Sequence, residues 1–82
     1  MEKRIKLIWD FRGADAEMTA KHHAVHLKEF NEKEKLQEKM FGYEKINDSH
    51  SIAYMVVKQS EMIAVRDALK PQRGTFYNDE NP

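Results

Sequence analysis

From Lys3 to Phe11 the chain alternates. Ile5, Leu7, Trp9 and Phe11 fall on one side of an extended backbone, and Arg4, Lys6, Ile8 and Asp10 on the other. Period two with β-branched and aromatic residues predicts a strand with one buried face, and Ile8 marks the second face as less than fully solvated. Arg12-Gly13 ends it, since glycine takes turn conformations that other residues resist. The pattern then becomes helical. At about 100° per residue, Ala16, Ala20, His23, Ala24, Leu27 and Phe30 share one side. The small residues let the helix lie close to a sheet, Asp15 suits its N-cap, and Glu17 suits its first turn. Beyond Asn31 the residues are mostly charged, with Leu36 and Met40 as interruptions. Glu, Lys, Gln and Leu are strong helix formers and Gly42 suits the position after a helix end. One helix from Ala14 to Phe41 is therefore expected, the alternative being a break near Asn31.

Tyr43 to Asn47 fits a short strand, and Asn47-Asp48-Ser49-His50 is a dense turn signal. Ser51 to Lys58 is apolar on both faces, so it is expected in the middle of a sheet. Ser60 is placed to cap a helix from Glu61 to Leu69, with Met62, Val65, Ala68 and Leu69 on its buried side. Pro71 ends that helix, Gly74 turns the chain, and Thr75 to Tyr77 form a last strand. Residues 78–82 read as a polar tail after a single domain spanning 1–77. The order β-α-β-β-α-β predicts an α+β fold of ferredoxin-like arrangement: a four-stranded antiparallel sheet with both helices on one face.

Composition narrows the function classes. The 82 residues suffice for one core only. Fourteen basic and fourteen acidic side chains cancel, which counts against nucleic-acid coating and against electrostatic membrane binding. No apolar run approaches the ~20 residues of a membrane span. The first residues lack the apolar centre of a signal peptide, so a cytoplasmic location is the expectation. Without cysteine there is neither a disulfide framework nor a thiolate nucleophile.

Three features carry possible chemistry. His22 and His26, four apart, stand on one side of the long helix with Glu29, a set of donors suited to a divalent metal such as zinc. The glutamate of an HExxH motif is missing, because His23 follows His22, and the alternative is an exposed polar face. No other cofactor is expected. His23 falls near the core stripe, where a half-buried imidazole bonded to a neighbour is expected. His23 and Asp10, at the end of the first strand, are the candidate catalytic acid/base groups. The alternative for Asp10 is a solvated carboxylate paired with a lysine or arginine. Within the central strand, Ala53, Tyr54 and Met55 fit the pattern of RNA-recognition domains. Ser51 stands in place of its glycine, Ile52 of a stacking aromatic and His50 of its leading base, so nucleic acid is not the expected partner.

A second apolar line, Met18, Val25 and Leu36, runs along the back of the helix. With the free sheet face it points to a homodimer, the alternatives being scattered surface apolar residues or a contact with the chain's own second helix. The leading expectation is a small dimeric ligand-binding or regulatory module. The alternative is a small enzyme of the dimeric α+β barrel kind using histidine as acid or base.

Overall fold

The computed structural model describes residues 3–77. Six elements follow one another: β1 (Arg4–Arg12), α1 (Ala16–Glu34), β2 (Met40–Asn47), β3 (His50–Lys58), α2 (Gln59–Leu69) and β4 (Arg73–Tyr77). The strands form one antiparallel sheet in the order β2-β3-β1-β4. The chain is thus α+β, with the two strands of strongest sequence pattern at its centre. The tail expected over 78–82 lies outside the described residues.

Alternation assigns the two faces. The odd-numbered residues Ile5, Leu7 and Trp9 of β1, with Ala53, Met55 and Val57 of β3, form one core cluster with Leu27, Leu36 and Val65. Leu27 comes from α1 and Val65 from α2, so both helices lie against this face. On α1 the expected stripe is present: Ala16, Ala20 and Leu27 are buried, and Phe30 packs against the cluster. Among the described residues no helix is long and apolar enough to cross a membrane.

The long helix stops early. It ends at Glu34, with Lys35 in the left-handed conformation (φ 54°) and its backbone N–H bonded to the Asn31 carbonyl. The cause is Asn31, whose side chain is fully buried. Its Nδ2 donates to the Glu38 carbonyl at 2.7 Å, and its Oδ1 accepts from Lys39 Nζ at 3.0 Å. The amide therefore holds the returning chain where another helical turn would have pointed outward. Leu36 consequently leaves the supposed back line and enters the core, while Met18 and Val25 stay exposed.

Two glycines have duties other than those their sequence context suggests. Gly42 lies in β2, where a β-carbon would stand 3.0 Å from the Tyr54 hydroxyl. Gly74 is a strand residue opposite Leu7, not a turn. α2 begins at Gln59, so Ser60 falls in its first turn, and the Glu61 carboxylate accepts from the Lys58 backbone N–H at 3.4 Å. Of its expected buried side, Val65 is enclosed, Met62 and Leu69 are partly so, and Ala68 is exposed.

Candidate functional site

The even-numbered residues of β1 point away from the helices, and Asp10 is among them. Register sets it diagonally between two partners: Arg12 pairs with His50 across β3, and Ile8 pairs with Arg73 across β4. The Asp10 carboxylate accepts from Arg73 Nε at 2.9 Å and from Arg73 Nη2 at 3.0 Å, a forked arrangement. His50 Nε2 lies 2.8 Å from Asp10 Oδ1. The Asp10 backbone N–H donates to the Gln72 side chain, and the Gln72 N–H donates to the Ile8 carbonyl, so the chain before β4 is fastened at the same place.

Hydrogen bonds from Arg73 hold the Asp10 carboxyl below the usual carboxylate range; partial burial opposes this, and His50 adds to it. Asp10 in turn raises the Arg73 guanidinium. Asp10 is therefore a fixed anion with both oxygens occupied. A carboxylate facing Nε2 favours the tautomer protonated there and leaves the His50 lone pair on Nδ1. That nitrogen has no hydrogen bond among the described residues. In this arrangement Asp10 fixes the orientation of the His50 ring. Around them Ile8, Ile52 and Val56 are buried although no helix covers this face. Lys6 lies over the Tyr54 ring, 4.6 Å from its centre, and Tyr54 reaches across Gly42, so the sheet is roofed by its own long side chains.

His23, the other acid/base candidate, is on the opposite side of the sheet. Its ring centre is 5.0 Å from Trp9 and 5.5 Å from Phe11. Its Nε2 is enclosed without a hydrogen-bond partner among the described residues. The expected bond to a neighbour is absent because the facing side chains offer rings rather than acceptors, and the Trp9 indole N–H is spent on the Leu69 carbonyl at 2.9 Å. Burial lowers the His23 pKa, and nearby His26 lowers it further. The metal candidates lie on the solvent side of α1: His22 is exposed, and His26 Nδ1 is 3.6 Å from Glu29 Oε1 with both side chains largely exposed. Among the described residues no group of three or more such side chains is placed to hold a metal ion.

A second feature lies between α2 and β4. An open groove of about 350 Å³ has Ile5 and Leu7 as its floor, Met62 and Arg66 on the helix side, and Gly74 and Phe76 on the strand side. It exists for two reasons. α2 buries only Val65 fully, so it does not close down on the sheet edge. A β-carbon at Gly74 would stand 3.3 Å from Leu7 and 3.6 Å from Ile5, filling the space now open.

Sequence reasoning reached Asp10 but missed His50 and Arg73, since His50 lay within a turn signal and Arg73 before an expected glycine turn. The one available signal was the alternation itself, which places Asp10 beside whatever the neighbouring strands present on the same face. No family model, no characterised protein and no solved structure matches this chain.

Proposed function

We propose that this chain is a small ligand-binding or regulatory module that works as a homodimer, with the groove between α2 and β4 as its binding site. Its architecture is read as ferredoxin-like, supported by the β-α-β-β-α-β element order and by β1 and β3 lying side by side in mid-sheet. The observation that carries the reading is the groove. Small-molecule sites are concave, mostly apolar and of about 300 Å³ or more, with a few polar groups fixing orientation. Octan-1-ol, a neutral amphiphile, tests it: amide resonances of Gly74 and Phe76 shift on titration in the wild type and stay still in Gly74→Val, whose side chain fills the floor. Unmoved resonances in the wild type overturn the reading.

The homodimer is supported by Met18 and Val25, two turns apart and exposed on the outer side of α1. A domain of this size gains from a second buried surface. Sedimentation at tens of micromolar (a rough range for a modest interface) gives a dimer that Val25→Glu dissociates; a wild-type monomer refutes it.

The Asp10–His50 pair favours the enzyme as a second reading, with His50 as acid/base and Asp10 orienting it. Hydrolysis of a panel of activated esters that is abolished by His50→Asn supports this. Turnover equal in the variant removes it.

A further inference from the structure

Among the described residues that line the groove, Arg66 and Arg73 are basic and none is acidic, but the Arg73 guanidinium turns to Asp10 on the opposite side of the sheet. The two cations are not equivalent. Arg73 is committed to Asp10 through two hydrogen bonds of 2.9 and 3.0 Å, and its charge is balanced there. Among the described residues the Arg66 side chain has only its sequence neighbour: Nε lies 3.4 Å from Asp67 Oδ1, with both side chains more than half exposed. A single long contact between exposed side chains holds little. Arg66 therefore brings a positive charge to the rim while keeping its fork of N–H donors available. Lys3 adds a second cation beside the groove, its Nζ 5.1 Å from the centre of the Phe76 ring. Beneath these charges the floor is apolar, and Phe76 keeps about two-thirds of its surface exposed (65%).

An apolar floor beneath a one-sided cationic rim is complementary to one kind of small molecule. We propose that the groove binds an amphipathic monocarboxylate, an alkyl or aryl acid of moderate length. Its hydrocarbon part lies on Ile5, Leu7, Met62 and Phe76, and its carboxylate accepts two hydrogen bonds from Arg66. This deepens the ligand-binding reading and rests on it. The planar guanidinium matches a carboxylate in a forked pair, a geometry a lysine would not supply. The volume, at the small end of the range for such sites, suits a short chain or a single ring. Gly74 is the specificity element, since any side chain there takes space from the hydrocarbon part.

Paired titrations of the whole chain with octanoate and octan-1-ol, followed by calorimetry and by the amide resonances of Gly74 and Phe76, separate the two levels of the idea. Octanoate is expected to bind about tenfold or more tightly than octan-1-ol, the fold-change of a charge-assisted hydrogen bond. Arg66→Gln should reduce octanoate to the level of the alcohol and leave the alcohol unchanged. Glutamine is a good helix former at an exposed site, and an unaltered far-ultraviolet circular dichroism spectrum verifies that α2 is intact. Added salt should weaken the acid and spare the alcohol. If both ligands bind equally, or Arg66→Gln leaves octanoate unaffected, the carboxylate assignment is overturned while the groove remains a site. If neither ligand moves the groove resonances, or octanoate binding persists in Gly74→Val, the groove itself is not the site and both ideas fall.

Discussion

The two helices lie on the same face of the same sheet and finish the same way, on a lysine in the left-handed conformation whose N–H reaches the carbonyl four residues back. They differ in how completely they close. α1 encloses Ala16, Ala20, Leu27 and Asn31, and its alanines bring its backbone near the sheet. α2 encloses Val65 alone, with Met62 and Leu69 only half covered. The β4 edge beside it is five residues long and mostly exposed. One half of the molecule is a finished core, and the other retains open apolar surface. Groups that are not satisfied within the fold are available to something else, and that is why the groove lies beside α2.

The contrast is broken most directly by truncating the enclosed aliphatic side chain of each helix. Leu27→Ala should cost about 2–5 kcal/mol, because a fully enclosed side chain leaves a cavity that the packed α1 half cannot fill. Val65→Ala should cost about 1–2 kcal/mol, since it removes less apolar surface and its surroundings are freer to relax. Urea denaturation measures both, and equal losses would erase the distinction between the halves. Next in size is Asn31→Ala, expected to cost about 1–3 kcal/mol by leaving the Glu38 carbonyl without its buried donor. Hydrogen exchange should rise over residues 35–39 and remain unchanged in α2. The smallest effect concerns His23. Its pKa in the folded chain lies below the ordinary value near 6.5, so the unfolded chain takes up a proton more readily. Stability is full above that ordinary value and falls as pH drops from there through the lowered one. His23→Phe should flatten that window and shift neutral-pH stability by less than about 1 kcal/mol. Melting temperatures from pH 5 to 8 read it (a range set by the ordinary histidine value). Asp10 contributes a separate loss only below the carboxylate range, again because its folded pKa is lowered.

The elements were legible wherever local pattern and tertiary demand agree. The alternation of Ile5, Leu7 and Trp9 and the apolar run from Ser51 are consequences of the sheet faces they occupy, and both strands stand where those patterns imply. The helix length was not legible, because residues 35–39 have helical propensity and the opposing force is a buried amide contact made only after the chain has turned back. Gly42 and Gly74 read as punctuation, yet one lies under a tyrosine hydroxyl and the other opposite a leucine. Local sequence does not distinguish a glycine that turns the chain from one that makes room. Asp10 was placed on the correct face by parity alone. His50 could not be added to it, because its place beside Asp10 depends on the β1–β3 register, a long-range pairing that no local pattern sets.

The cluster of Asp10, His50 and Arg73 also bears on the order of folding. His50 and Arg73 lie 40 and 63 residues along the chain from Asp10. The β2–β3 hairpin closes through two turn residues, Asp48 and Ser49. Entropy favours short closures over long ones, so the hairpin is expected early, the β1–β3 pairing later, and the Arg73 fork last. Interactions absent from the rate-limiting barrier govern how fast a protein opens rather than how fast it forms. Arg73→Gln should therefore leave refolding, followed by Trp9 fluorescence, at its wild-type rate and accelerate unfolding; slowed refolding would place the fork earlier. The fork would then act as a latch on lifetime, closing over a sheet that had already assembled.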